Sequence, residues 1–521
     1  MKLIFSELLK SYGPSFISGL LLILCFPTID LYVLAWFVLV PFILSLYEKD
    51  PKQAFIAGMF FGAPYFFGTL YWIYHSVNHY GNIPFVASIM LVILLCFYLS
   101  LYTGIFAVLF SITIKNTKLP SLFVAPVFWV VLEYLRSYLF TGFPWSLIGY
   151  TQYKLLTIIQ IADITGIYGI SFLLVAVNGA IADIFLIRRR VKDMPLFPLS
   201  QTVIGFSALL VFILITAIYG QWKMGQKIPG EYVKLSIVQG NIEQDKKWEP
   251  AYQRYVIETY QDLSYKATTY SPSIIIWPET ALPFLFKTDE TYTEELIHFQ
   301  KKINTYLLFG SILYKGKREG KTFYSNSAVL LDKTGKVVYE YDKIHLVPFG
   351  EYIPLQKVLF CVKKLVVGIG DYSRGNQYLV AEPSFGKFAT VVCYEIIFPG
   401  LVRKFFTDKG NFLVNITNDA WFGRTTGPYQ HFSMAVFRAI ENRKPVIRAA
   451  NTGISGVIDS NGRIIAKTKL FQQVILTMDI KVNATKSFYT KYGDLFSYLC
   501  FVLSIVIMAN FFGKVRMNIR R

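Results

Sequence analysis

With 521 residues, of which 54 % are hydrophobic and only 16 % charged, the chain is too apolar for a soluble protein and long enough for more than one domain. Its formal net charge of +19 would fit a nucleic-acid binder, but the basic residues gather in one set of loops between apolar stretches. That makes the excess a topology signal and excludes nucleic acid as the partner. About eight transmembrane helices are predicted, at about 12–28, 30–47, 53–73, 84–114, 119–139, 160–187, 200–220 and 492–513. Loops on one side of these crossings hold Lys2, Lys10, Lys49, Lys52, Lys115, Lys118, Arg188, Arg189, Arg190, Lys192, Lys514, Arg516, Arg520 and Arg521, whereas the opposite short loops hold only Lys154. The positive-inside rule therefore puts both termini in the cytoplasm and residues 222–490 on the other side. Leu22-Ile23-Leu24-Cys25 imitates a lipoprotein cleavage box, but a leucine precedes the cysteine and further spans follow at once, so the first span reads as a retained helix.

Three domains follow: helices one to seven in 1–221, a polar region in 222–490, and an eighth helix with a basic tail in 491–521. Glu133 and Arg136 interrupt the fifth span at helical i,i+3 spacing. They are either an ion pair that holds the bundle together or a site for a lipid headgroup, because charge inside a membrane is expensive and often functional.

From about 230 the pattern changes to short β-rich runs at 234–238, 273–277, 306–313, 326–331, 336–341, 388–392, 412–416 and 445–449, separated by Gly, Pro, Asn and Asp clusters. Asp459-Ser460-Asn461-Gly462 reads as the turn of a hairpin within 457–464, and 474–480 adds a last strand. In 429–442, Phe432, Ala435, Val436, Ala439 and Ile440 fall on one helical face. Strands alternating with amphipathic helices indicate a layered α/β domain.

Three motifs in this region end apolar runs in residues with reactive side chains: Trp277-Pro278-Glu279-Thr280, the stretch 341–352 containing Lys343, and 391–395 ending Cys393-Tyr394-Glu395. A carboxylate beside apolar neighbours has its pKa raised and serves as a general base near neutral pH. An ammonium beside a thiol favours the thiolate and stabilises an oxyanion. A thiol at a strand end, with base and cation in comparable positions, has the parts of an activated nucleophile. Taken singly, each has a blander reading: a solvated loop Glu, a surface Lys, an inert core Cys. A Cys-His pair using His345 or His431 is the competing arrangement. The five cysteines, Cys25, Cys96, Cys361, Cys393 and Cys500, form no CxxC or Cys/His metal pattern, so no metal, cofactor or disulfide framework is expected.

These motifs together resemble the nitrilase superfamily, whose members use a Glu-Lys-Cys triad on an α-β-β-α sandwich. Spans before and after the domain narrow the resemblance to the membrane-embedded apolipoprotein N-acyltransferase family. Phe143-Pro144-Trp145, Gln239-Gly240-Asn241-Ile242 with Trp248, and Asn418-Asp419-Ala420-Trp421-Phe422-Gly423 add to it. The resemblance implies that Glu279 is general base and acid, Lys343 an oxyanion stabiliser and Cys393 the acylated nucleophile. It implies that Glu351 supports the triad, and that Trp248, Tyr394, Glu395, Trp421 and Phe422 shape the site and its access. It further implies a phospholipid acyl donor and, as acceptor, the N-terminal amine of a lipoprotein's diacylglyceryl-cysteine. The expected location is a bacterial inner membrane, with the catalytic domain on the periplasmic side.

Other readings are a membrane-tethered amidase or nitrilase, with water as acceptor, and a transporter with a degenerate binding domain. Few ionisable residues in the spans and no obvious paired broken helices count against the transporter. Residues 352–367 interleave apolar side chains, Leu359 and Phe360 among them, with Lys357, Lys363 and Lys364. This is either a helix packed on the domain or an interfacial lid whose apolar side meets the bilayer.

Overall fold

The computed structural model describes residues 2–117, 119–189, 199–318, 320–353, 371–407 and 410–519. The segment holding Leu359, Phe360 and Cys361 lies outside the described residues, as do Lys118, Arg190, Lys192, Arg520 and Arg521. The chain divides into two compact units, one of residues 1–74, 85–225 and 492–521, the other of residues 75–84 with 226–491.

The first unit is helical. Three described helices are long and apolar enough to cross a membrane, Phe85–Asn116, Ile167–Ile187 and Val203–Gly225, or four if the broken pair Pro51–Leu70 and Ile73–Tyr80 counts as one span. A hydrocarbon core of about 30 Å asks for about 20 helical residues. The stretch 30–47 does not supply one such helix, since it folds as a 3-10 turn, Tyr32–Trp36, and a short helix, Val40–Leu46.

Small residues let these helices approach closely. A Cβ on Gly58 would lie 2.3 Å from the Thr103 carbonyl oxygen and 2.6 Å from the Gly104 Cα. The Thr103 hydroxyl donates to the Gly58 carbonyl at 2.8 Å. Asp183 caps the helix Ser121–Tyr138, accepting from the Ser121 N–H at 3.0 Å and the Leu122 N–H at 3.1 Å.

The second unit carries two sheets. Its strands are β1 (Glu231–Gln239), β2 (Ile274–Ile276), β3 (Tyr306–Arg318), β4 (Lys321–Leu331), β5 (Val337–Asp342), β6 (Asp371–Tyr372), β7 (Val380–Ala381), β8 (Phe388–Val392), β9 (Phe412–Thr417), β10 (Val446–Ala450), β11 (Gly456–Ile458), β12 (Ile464–Lys467) and β13 (Val474–Val482). One sheet runs β13-β1-β2-β3-β4-β5, with β6 on β4, and the other runs β12-β11-β10-β9-β8-β7. The central strands of each sheet pair in parallel: β1 with β2 and β2 with β3 in the first, β8 with β9 and β9 with β10 in the second. Their inward faces meet, β4 against β8 and β1 against β10. Helices Pro250–Thr268 and Glu290–Ile303 pack on the first sheet through Val256, Tyr260, Leu263, Leu296 and Phe299 against Trp277, Phe309 and Leu331. Helix Gly427–Asn442 packs on β10 and β11 of the second. Two facing sheets with helices on their outer sides make a layered α/β arrangement.

The candidate residues Glu279, Lys343 and Cys393 follow the ends of β2, β5 and β8, so helix packing on the outer face is separable from them. Leu296, 2 % exposed, lies in the outer helix layer. Leu296→Ala should therefore lower the thermal midpoint by the equivalent of about 2–5 kcal/mol. At low temperature it should leave Cys393 alkylation by iodoacetamide unchanged, with calorimetry and peptide mass spectrometry as the readouts.

Candidate active site

Glu279 is set by the end of β2. Three buried isoleucines form that strand, the Trp277 N–H still donates to the Leu308 carbonyl at 2.8 Å, and Pro278 then removes a donor and ends the ladder. The chain folds back against β3, where the Gly310 N–H donates to the Pro278 carbonyl at 3.1 Å. A Cβ on Gly310 would lie 2.6 Å from the Glu279 Cα and 2.5 Å from the Thr280 nitrogen, so only glycine admits this approach. The Glu279 carboxylate accepts from the Asn326 amide at 2.8 Å and from the Asn418 N–H at 2.9 Å.

Lys343 follows β5 and is held by its backbone N–H on the Asn326 carbonyl, 2.9 Å. Its Nζ lies 2.9 Å from Glu351 Oε1 and 3.8 Å from Glu279 Oε1. The other Glu351 oxygen accepts from the Val347 N–H at 2.8 Å, and Asn326 reaches Glu351 as well as Glu279. Burial disfavours the Lys343 ammonium, but Glu351, Glu279 and the Cys393 thiol together hold it above the ordinary lysine range.

Cys393 ends β8, whose five residues are all buried, and takes a left-handed backbone with φ +52° as it enters the 3-10 turn Cys393–Ile397. A non-glycine residue in that region costs free energy and is common where a nucleophile is presented on a sharp turn. The Asn415 amide supports the turn, donating to the Val391 carbonyl at 3.2 Å and to the Cys393 carbonyl at 3.4 Å. Burial and the Glu279 charge push the thiol above its usual range, Lys343 pulls it back, and the Thr417 hydroxyl adds a hydrogen bond that favours the thiolate. Burial also raises Glu279, against the Lys343 charge, with hydrogen bonds from Asn326 and the Cys393 thiol on the carboxylate. Acid and base are thus shifted the same way, by the same cause, burial.

Glu395 joins the two turns. Its carboxylate accepts from the Ile344 N–H at 2.7 Å, the His345 N–H at 3.0 Å, the Val392 N–H at 2.7 Å and the Tyr341 hydroxyl at 2.9 Å. Burial pushes its carboxyl up to about 7, and these donors oppose that rise. Tyr394 lies beside the His345 and Phe398 rings.

Of the two candidate histidines, His431 is hydrogen-bonded to the Cys393 backbone. The His345 ring centroid lies 3.9 Å from that of Phe398, and burial, with the nearby Arg374 and Lys343 charges, pushes the imidazole down to about 4. His431 Nδ1 lies 3.1 Å from Asp419 Oδ1, and Arg448 Nη2 holds both oxygens of that carboxylate at 2.8 Å. Burial and the Arg448 charge likewise push His431 down to about 4.

The remaining candidates divide. Trp421 packs on Tyr80 at 4.7 Å between centroids, and its carbonyl accepts from the Ser76 hydroxyl at 2.6 Å. Phe422 packs on His431, and Trp248 is half-buried in the stretch before helix Pro250–Thr268. Glu133 and Arg136 belong to the helical unit. Glu133 accepts from the Ile148 N–H at 2.9 Å, and Arg136 donates to the Trp145 and Ser146 carbonyls at 3.1 and 3.2 Å. Both therefore brace the backbone of 145–148.

Sequence reasoning missed Asn326, Gly310 and the backbone of Asn418. Asn326 heads an expected strand as a lone amide, a signal visible only once the neighbouring carboxylates are located.

Residues 18–180 match the family model of the apolipoprotein N-acyltransferase N-terminal domain, and residues 234–489 match that of carbon-nitrogen hydrolases. The apolipoprotein N-acyltransferase of Geobacter metallireducens is 41 % identical over 506 residues, covering 97 % of this chain and 96 % of that protein. That of Haemophilus ducreyi is 33 % identical over 529 residues, covering 99 % of each. With identity at that level along almost the whole of both chains, this chain belongs to the apolipoprotein N-acyltransferase family.

Proposed function

We propose that this membrane N-acyltransferase of lipoprotein biosynthesis works through a Cys393 thioester. It takes an acyl chain from a membrane phospholipid and passes it to the N-terminal amine of a lipoprotein's diacylglyceryl-cysteine. The observation that carries the reading is the convergence of Glu279, Lys343 and Cys393, from three separate strand ends, into one buried cluster.

Glu279 takes the proton from the Cys393 thiol, and the thiolate sulfur attacks the ester carbonyl. The oxyanion of the intermediate is stabilised beside Lys343, whose positive charge also favours the carboxylate or thiolate in the cluster. Glu351 and Asn326 hold Lys343 and Glu279 in register. The ester C–O bond breaks, Glu279 returns the proton to the leaving alkoxide, and the lysophospholipid departs. In the second half the lipoprotein amine attacks the thioester, Glu279 accepts the amine proton, and the thiol is restored. An amine resolves a thioester readily, provided water is kept from the site. The buried position of Cys393, 7 % exposed, meets that condition.

Eight crossings of a bacterial inner membrane complete the proposal, with domains at 1–221, 222–490 and 491–521, both termini cytoplasmic and the α/β unit periplasmic. The loop charges support that orientation.

Mass spectrometry of the full chain incubated with phospholipid should find one acyl adduct, on Cys393. Cys393→Ala should abolish both adduct and lipoprotein product, whereas Cys361→Ala should retain both; activity in Cys393→Ala would end the thioester reading. Lys343→Ala should slow acylation by about 10²–10³. His345→Ala should stay within about tenfold, and the reverse ranking in single-turnover kinetics would favour a Cys-His mechanism. A membrane-impermeant thiol reagent applied from outside should label a cysteine engineered beside Asn461 and spare one beside Lys192, the opposite pattern overturning the orientation.

A further inference from the structure

A second lysine stands at this cluster without a share in the mechanism above. Lys247 lies between β1 and helix Pro250–Thr268, fully buried, and its Nζ has no hydrogen-bond partner among the described residues. Lysine is almost never fully buried unless paired, because the ammonium gives up its hydration for nothing. The other buried lysines of this unit differ: Lys343 is bound by Glu351 at 2.9 Å, and Lys444 donates to the Asn483 carbonyl at 2.8 Å.

The stretch that carries Lys247 is fixed to the catalytic carboxylate. The Ile242 N–H donates to Asn451 Oδ1 at 2.9 Å, and the Asn451 amide returns a bond to the Ile242 carbonyl at 2.7 Å. Gln244 Oε1 accepts from the Asn418 amide at 2.6 Å, and the Asn418 backbone N–H in turn binds Glu279 at 2.9 Å. Glu279 is also the charge that acts on Lys247; burial pushes its ammonium down to about 8 and that carboxylate opposes the shift. A buried donor with no hydrogen-bond partner among the described residues therefore sits in a stretch tied through Gln244 and Asn418 to the base that serves the reacting thiol, while the charge of Lys343 is already shared between two carboxylates.

We propose that Lys247 is a further catalytic residue, whose Nζ donates a hydrogen bond to the acyl carbonyl oxygen of the donor ester as that oxygen becomes negative. As the sulfur–carbon bond forms, the carbonyl π pair moves onto oxygen beside the Lys247 ammonium. As the ester C–O bond breaks, the pair returns to carbon and the leaving alkoxide takes its proton from Glu279. Lys247 keeps its protons throughout. A donor aimed where charge develops and otherwise unpaired favours the transition state over the resting enzyme. The inference rests on the reading that Cys393 is acylated.

The test uses the full chain in detergent and two acyl donors, phosphatidylethanolamine and p-nitrophenyl butyrate, which has no phosphate. The rate of adduct formation on Cys393 is followed by mass spectrometry. Absence of adduct in the parent chain would defeat the thioester reading itself, independently of Lys247. Where the parent acylates, Lys247→Met should slow adduct formation from both donors by about 10²–10³. Lys247→Arg should recover part of that loss. The Met variant should keep the parent's thermal midpoint or exceed it, because an unpaired buried charge is removed. Slowing with phosphatidylethanolamine alone would make Lys247 a contact to the headgroup phosphate and overturn the assignment, as would unchanged rates with both donors. A Met variant that fails to fold or melts lower overturns it too, since a group that serves only the substrate is not needed to hold the fold.

Discussion

The Glu395 carboxylate accepts from the Val392 N–H on one side and from the Ile344 and His345 N–H groups on the other, with the Tyr341 hydroxyl as a further donor. It thereby fixes the turn that presents Cys393 against the turn that presents Lys343, across two sheets that share no backbone ladder. Main-chain N–H groups buried at the ends of strands need acceptors. A single buried carboxylate meets three of them here and makes relative position a consequence of hydrogen bonding. A glutamine in its place would turn one of its oxygens into a donor facing donors, so charge and geometry are inseparable at this position.

Around that clamp the electrostatics of the cluster follow from counting charges. The Lys343 ammonium faces two carboxylates, Glu279 and Glu351, with the thiol beside them. Moving a proton from Cys393 to Glu279 shifts the negative charge without changing the total, and Lys343 attracts it in either place. Burial raises both groups, and Lys343 opposes that rise at each. The Asp419–Arg448–His431 cluster shows the contrast: there Arg448 Nη2 meets both carboxylate oxygens and holds the carboxyl well below its usual range, and burial with the Arg448 charge pushes the imidazole down to about 4.

The helical unit answers to different physics. Without water to compete for backbone groups, close helix approach depends on small side chains, as at Gly58 against Thr103 and Gly104. Three of its buried charged side chains meet backbone: Asp183 the first N–H groups of Ser121–Tyr138, Glu133 and Arg136 the 145–148 segment. That favours the bracing role of the Glu133 and Arg136 pair over a headgroup site.

The sequence by itself determined the periodicities, and with them the strands and the reactive residues at their ends. The runs at 388–392 and 412–416 became β8 and β9, and the helical face in 429–442 became Gly427–Asn442, because burial on both faces leaves a continuous apolar signal and burial on one leaves a period. The motifs of Glu279, Lys343 and Cys393 were legible for the same reason, each being a polar interruption at the end of an apolar run. Only the tertiary structure decided what stands between them. Asn326 bridges two carboxylates, Gly310 makes room for the Glu279 turn, and Lys247 is buried beside Glu279 without a partner among the described residues; none of these leaves a local pattern, because each acts across sheet positions far apart in sequence. The same limit explains 30–47, whose apolar content announced burial but whose division into a 3-10 turn and a short helix was set by packing.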